Sequence, residues 1–254
     1  MSNPLKIAAL SIGYNNKPII NAIEISTKNT QLIGVIGRNG KGKSTLLKTL
    51  AGLLPPITGQ FVFNDTDIFS LSEKEKSKLI SIVSTTKTAI GGIKVSDFVA
   101  FGRYPYTNWL GINKKEDEIA ITNAIQLCNI HHLSDRYYDE LSDGEKQKVN
   151  IARAIAQNTS LIILDEPTVH LDLINTVEVL KLLKQLTENH GKTIIFSTHQ
   201  IEYALQICDE IWLINNDKIE AFSPTELINK EKLQKLFDDD SINFDKLTGT
   251  FKIR

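Results

Sequence analysis

Cysteine is scarce in this chain: Cys128 and Cys208 are the only two among 254 residues. That excludes a disulfide framework, and the pair lacks the spacing of a zinc motif. Two lone thiols fit a reducing compartment. Long apolar runs are also missing; no stretch approaches the 18 or so residues of a membrane-spanning helix. The opening MSNPLKIAAL lacks a basic start followed by a long apolar core, so no signal peptide is expected. Neither charge dominates. Lys and Arg number 29, Asp and Glu 30, and the net charge is −1. A protein whose partner is nucleic acid carries a basic excess, so no nucleic-acid partner is expected. Repeats and low-complexity stretches are absent. The expectation is a soluble, cytoplasmic chain, with attachment to a membrane protein left open.

What is present is ordinary globular composition, 41% hydrophobic and 23% charged, enough for a sizeable core without covalent staples. Residues 6–10, 19–25 and 61–63 read as strands. The runs at 31–36 and 161–164 suit short buried strands, and 80–83, 193–196 and 210–214 read as further strands. Helical spacing marks 44–51, 72–79, 114–128, 142–156, 174–189 and 200–207. Ser72 with Glu75, and Ser142 with Glu145, have capping-box spacing; Ser223-Pro224-Thr225-Glu226 opens a further helix. The tail is expected to turn a small hairpin around Thr248-Gly249. Strands alternating with helices indicate right-handed crossovers and a mainly parallel sheet. Strand signals fade from about residue 84, so we expect a helical insert over about 84–158 in an α/β core formed by 1–83 and 159–254. Ligands of such sheets bind beyond the carboxyl ends of strands, which directs attention to 37–45, 165–172 and 197–200.

Gly37-Arg38-Asn39-Gly40-Lys41-Gly42-Lys43-Ser44 fits the G-x-x-x-x-G-K-[ST] pattern, after an apolar run and before a helical one. A polyphosphate needs several amides converging on it, and glycines let the backbone curl that tightly. The following helix aims its positive end at the anion. Gly37, Asn39, Gly40, Gly42, Lys43, Ser44 and Thr45 are the candidate contacts, with Lys43 a point charge at the phosphates and Ser44 a ligand for Mg²⁺. Residues 161–164 end in Asp165-Glu166. Asp165 suits Mg²⁺, through water, and Glu166 is the candidate general base on an attacking water.

Leu141-Ser142-Asp143-Gly144-Glu145 resembles the signature motif of ABC-type ATPases, usually written LSGGQ. With the phosphate loop, Asp165-Glu166, Leu171-Asp172 and His199, the chain carries that family's landmarks in order. It therefore resembles an ABC transporter ATP-binding subunit. The resemblance implies one ABC ATPase domain over 1–254: a P-loop core with a mainly parallel sheet, an antiparallel β side sheet and a helical insert. The stretch from Phe98 to Pro105 is similar to the V-x-x-G-R-x-P segment of importers for iron–siderophore, haem or cobalamin. The ending, with Phe237, Phe244 and Phe251, is similar to the same group.

The resemblance also implies roles. ATP and Mg²⁺ are the expected cofactors, and hydrolysis of ATP the reaction. Tyr14 stands where the family places an aromatic against adenine. Ser142, Gly144 and Glu145 would contact the γ-phosphate of ATP bound to the other subunit of a head-to-tail homodimer. His199 matches the histidine that meets the γ-phosphate and the attacking water, whereas His170 is expected to pack. Two integral-membrane permease subunits would be driven, and a substrate-binding protein served indirectly. The location implied is peripheral, on the cytoplasmic face of the inner (cell) membrane. A soluble ABC ATPase of the iron–sulfur assembly type, or an exporter ATPase, shares the nucleotide motifs and is the alternative.

Two departures from the family pattern stand out. Asp143 and Glu145 replace Gly and Gln, so their carboxylates should turn away or pair with Lys146 or Lys148. The glutamine that normally follows the strand at 80–83 is absent, and alignment puts Thr85 at that metal position, with Ser84 and Thr86 beside it. The aromatics Tyr104, Tyr106 and Trp109 make 85–109 the expected dock for a permease.

Overall fold

A computed structural model describes residues 5–28, 30–84, 91–107, 114–230, 232–234, 236, 241–246 and 248–253. In chain order it begins with β1 (Leu5–Tyr14), β2 (Lys17–Thr27), β3 (Leu32–Gly37), α1 (Lys43–Leu50), β4 (Thr58–Phe63) and β5 (Thr66–Asp67). There follow α2 (Glu73–Leu79), β6 (Ile80–Val83), α3 (Val95–Ala100), α4 (Lys115–Leu127), α5 (Asp143–Ala156), β7 (Leu161–Leu164) and α6 (Leu173–His190). Then come β8 (Thr193–Ser197), α7 (Ile201–Ile207), β9 (Glu210–Asn215), β10 (Lys218–Phe222), α8 (Pro224–Asn229), β11 (Ile242–Asp245) and β12 (Thr250–Ile253). The chain divides into two compact units, Met1–Ser70 with Thr193–Arg254, and Leu71–Lys192.

In the first unit β3 lies between β8 and β9 and runs parallel to both, with β10 antiparallel beyond β9. All six residues of β3 are buried, as an apolar run without alternation requires. Two of its residues are glycines because neighbours come close. A Cβ on Gly34 would stand 2.9 Å from Cys208 Sγ, just past α7, and one on Gly37 would stand 2.8 Å from Ile214 O in β9. A separate antiparallel sheet has the order β2-β1-β4-β5. The β1–β2 hairpin turns through Asn15 and Asn16, both at positive φ (50° and 58°), a conformation asparagine tolerates in two-residue loops. At the end of the chain β11 and β12 pair as the tail sequence indicates, with the Phe244 and Phe251 ring centroids 5.0 Å apart.

In the second unit β6 and β7 pair in parallel, and α3 and α4 both pack on α5. Phe98 of α3 stacks on Tyr138 at 4.4 Å between ring centroids. The chain continues from α3 as a 3₁₀ turn, Phe101–Tyr106, whose Gly102 meets α5 so closely that a Cβ would lie 2.2 Å from Arg153 O. Arg103 is buried. Its Nε donates to Asp117 Oδ1 at 2.8 Å, its second nitrogen donates to Ala156 O at 2.9 Å, and its guanidinium lies 3.9 Å from the Tyr106 ring centroid. Asp117 also accepts the Lys114 amide, at 2.8 Å. The Gly102-Arg103 pair therefore ties the 3₁₀ turn to the start of α4 and the end of α5. Tyr106, one of the aromatics of the expected dock, is half-buried because Arg103 covers its ring, whereas Tyr104 is 79% exposed. Trp109 and Phe237 lie outside the described residues. Both cysteines are buried, and burial pushes the Cys128 thiol up to about 12.

Burial opposes the charge of Asp117, yet the Lys114 amide and the Arg103 guanidinium outweigh it and hold the carboxyl below the usual carboxylate range. Asp117→Ala leaves Arg103 buried without its partner and is expected to cost about 3–5 kcal/mol, read from urea unfolding at pH 7. A depressed folded-state pKa means this stabilisation is fully present above the unfolded value of about 3.9. It is lost as pH falls through the folded value. The gap between wild type and variant should hold from about pH 7 to 5 and shrink only below about pH 4.

Candidate nucleotide site

Between Gly37 and α1 the chain curls through a loop in which Gly40 (φ 74°) and Gly42 (φ 96°) adopt left-handed conformations. Gly40 is required for conformation alone, since nothing lies within 4 Å of where its Cβ would be. Gly42 is required twice over, because its Cβ would also stand 2.9 Å from Ile19 Cγ2 and 3.3 Å from Ile20 Cδ1. Helix α1 then opens with no acidic residue in its first turn, so no carboxylate offsets its free amides and positive dipole end. Lys43 is buried, and its ammonium donates to Gly37 O at 2.8 Å and Arg38 O at 3.2 Å. Asn39 is exposed at the loop tip and Ser44 half-buried at the helix start. The Thr45 hydroxyl lies 3.4 Å from that of Tyr14, which stands 49% exposed at the end of β1.

His199 belongs to the same unit. β8 runs beside β3 with Ser197 opposite Val35, and Thr198 N donates to Val35 O at 3.1 Å. The exposed His199 therefore lies beyond the carboxyl end of the strand next to the one that feeds the loop. The Thr198 hydroxyl accepts the Gln200 amide at 3.0 Å and turns the chain toward α7.

In the second unit β6 and β7 end side by side, Val83 opposite Leu164. Asp165 follows, buried, its amide donating to Val83 O at 2.9 Å. Glu166 is half-buried at φ 48°, a left-handed conformation that costs a non-glycine residue about 1–3 kcal/mol and that no sequence signal announces. The Asp165 carboxylate, like the Ser44 hydroxyl in the first unit, is a hard oxygen donor of the kind Mg²⁺ takes. Among the described residues no three His, Cys, Asp or Glu side chains cluster as a metal site. Thr85 and Thr86 lie outside the described residues.

Ser142 caps α5. Its hydroxyl accepts the Glu145 amide at 3.3 Å, and Glu145 Oε2 accepts the Ser142 amide and hydroxyl at 2.8 Å each. Those bonds from Ser142 hold the Glu145 carboxyl below its usual range, against burial, with the Arg136 charge assisting; Arg136 lies 3.5 Å away. Of the two expectations, turning away or pairing with Lys146 or Lys148, Glu145 follows the first and folds back onto its cap. Lys146 donates to Asp139 O and Lys148 pairs with Glu178, because Ser142 lies one turn back on Glu145's own face. Gly144 is buried against α6: a Cβ there would meet the Asn175 side chain at 2.8 Å. Asn175 in turn bonds Asp172, the N-cap of α6. Asn175 and Arg136 escaped the sequence reading; the spacing from Asp172, an N-cap residue, to Asn175 was the available signal. His170, expected to pack, is exposed in a left-handed conformation (φ 63°).

A glycine-rich loop that feeds a helix beyond a buried parallel strand defines a nucleoside-triphosphate-binding α/β protein. The ABC transporter family model matches residues 20–169, and the chain belongs to that family of ATP-hydrolysing proteins. It is 37% identical over 232 residues to the achromobactin transport ATP-binding protein of Dickeya dadantii, covering 91% of this chain and 86% of the relative. It is 33% identical over 233 residues to the ferric enterobactin transport ATP-binding protein of Escherichia coli, covering 90% and 84%. Among solved structures, an ABC transporter described as of metal-chelate type, in an inward-facing conformation, superposes with a TM-score of 0.81 at 29% identity, covering 98% of this chain and 95% of that one.

The two loop glycines give a graded test. Gly40→Ala should lose about 1–2 kcal/mol of stability from its left-handed backbone alone. Gly42→Ala should lose more, because the Ile19 contact adds to the same backbone cost. Urea midpoints of the two variants beside wild type provide the measurement.

Proposed function

We propose that this chain is the ATP-hydrolysing subunit of a membrane importer for ferric siderophores. The gathering of the phosphate loop, Tyr14 and His199 at one end of β3 and β8 carries the nucleotide half of that reading. The iron-chelate half rests on the relatives, whose names refer to achromobactin and ferric enterobactin. We read one ABC ATPase domain, with a core of about 1–83 and 159–254 and a helical subdomain of about 84–158.

The roles follow from chemistry. Gly37, Asn39, Gly40 and Gly42 turn loop amides toward the phosphates, and the first turn of α1, with Lys43, Ser44 and Thr45, adds amides, a positive charge and hydroxyls. Tyr14, steadied by Thr45, offers its ring to the base. Glu166 accepts a proton from the attacking water, and His199 orients that water at the γ-phosphate. Mg²⁺, when bound, neutralises charge on the β- and γ-phosphates; Ser44 and Asp165 are the residues we assign to hold it, with Thr85 or Thr86 in place of the family's glutamine. Ser142, Gly144 and Glu145 serve the ATP of a second copy in a head-to-tail homodimer, and Arg136 offsets the extra carboxylate. Closure of that dimer drives two integral-membrane permease subunits, with a substrate-binding protein acting on the far side. The permease face we assign is the 3₁₀ turn with Phe101 and Tyr104. The subunit is peripheral, on the cytoplasmic face of the cell membrane; no helix among the described residues is long and apolar enough to cross it.

Glu166→Gln keeps the shape of the side chain and removes the base. Turnover of ATP should fall by about 10²–10⁴-fold, with equilibrium binding of ATP within a few-fold of wild type. Uptake of labelled ferric siderophore by cells carrying the variant should fall in parallel. A variant with near-normal turnover rules out Glu166 as base, and normal uptake without this chain rules out the importer reading.

A further inference from the structure

We propose that the carboxyl-terminal hairpin is a positioning element for His199, acting through Glu202. The inference rests on the role given to His199 above. His199 stands two residues before α7, so the direction of its imidazole depends on where the first turn of α7 is held. That short helix receives no side-chain cap from Gln200. Its second half is fixed from one side by contact with β3, since a Cβ on Gly34 would lie 3.5 Å from Ala204 Cβ and 2.9 Å from Cys208 Sγ. Its first turn is held from elsewhere: Glu202 Oε1 accepts the Phe251 amide of β12 at 2.9 Å.

The hairpin that supplies this amide is itself anchored. Gln234 donates from Nε2 to Ile242 O at 2.9 Å and accepts the Phe244 amide on Oε1 at 2.8 Å. Phe244 is buried and packs on Phe251. The bond from Phe251 to Glu202 thus joins α7 to a fixed body. Around it lies a cavity of about 280 Å³ lined by His199, Gln200, Ile201, Glu202, Tyr203 and Phe251. Ile201 is buried and anchors the inner face of the first turn, so the bond's part is to fix the outer face that borders the cavity. With the bond made, the turn that carries His199 is held; with it broken, the turn has room to swing into the cavity. Glu202 therefore positions His199 and takes no part in the chemistry itself.

The test is steady-state ATP hydrolysis by the full-length chain. Glu202→Ala should lower kcat about three- to ten-fold, the usual worth of one such hydrogen bond, and leave KM for ATP within about two-fold, because the phosphate loop and Tyr14 are not touched. Glu202→Gln keeps an acceptor oxygen at the same reach and should restore most of kcat. Gln234→Ala loosens the hairpin from its other side and should lower kcat in the same direction, which guards against poor folding of the Glu202 variant. His199→Ala alone should be strongly impaired, and His199→Ala with Glu202→Ala no worse. Wild-type kcat in both Glu202→Ala and Gln234→Ala, with His199→Ala impaired, overturns the proposal and leaves the role of His199 standing. A further loss from Glu202→Ala in the His199→Ala background also overturns it. Wild-type turnover in His199→Ala removes the role of His199 and the proposal with it.

Discussion

β3 has no exposed residue and a parallel neighbour on each side, and that confinement governs the position of everything beyond its carboxyl end. Burying Leu32, Ile33, Val35 and Ile36 contributes about 1.5–3 kcal/mol for each side chain, so the strand cannot shift without exposing a large share of the core. Its glycines make the confinement tighter. Gly34 lets α7 sit directly on the strand, and Gly37 lets β9 reach the point where the loop begins. A phosphate loop needs amides fixed in space before the anion arrives, since ordering them at the moment of binding would cost entropy. The confined strand supplies that preorganisation, and β8 in register beside it carries the same rigidity as far as Thr198, next to His199.

The second unit shows a different economy of design. The segment 98–105, which most suggests a particular class of transporter, does its visible work inside the unit. Gly102 and Arg103 bind the 3₁₀ turn to α4 and α5, and only Phe101 and Tyr104 are left facing solvent. Helix α5 is tied down further by Arg153, which donates to Ile82 O, and by Gln157, which donates to Ser77 O and Ile80 O. The helix that opens with the signature therefore ends clamped to β6, the strand that leads to Ser84 and Thr85. Arg153 and Gln157 thus join the end of the signature helix to β6 within one unit.

Much of this was legible in the sequence because its causes are local. Capping boxes at Ser72, Ser142 and Ser223 formed as their spacing implied, and the uninterrupted apolar runs became buried parallel strands. The phosphate loop was legible because left-handed backbone demands glycine at fixed offsets. What escaped depends on contacts between residues distant in sequence, or on backbone that composition does not report. The placement of Tyr106 under Arg103 is decided by a buried charge whose partner lies on another helix. The Ser142–Glu145 cap was legible from its spacing, whereas the approach of Arg136 to the same carboxylate depends on the fold and was not. The left-handed turn at Glu166 has no residue signature, since glutamate is not a residue that usually adopts it.

The two thiols have a practical meaning for the molecule in solution. Cys128 is buried and held protonated by its surroundings, and Cys208 is buried where α7 meets β3. Alkylating reagents attack the exposed thiolate, not the buried thiol. Both cysteines should therefore react with maleimides far more slowly than a surface cysteine while the fold is intact. A single cysteine introduced on the surface can carry a fluorophore or spin label without removal of the native pair, and the appearance of label at Cys128 or Cys208 becomes a chemical clock for local opening of the fold.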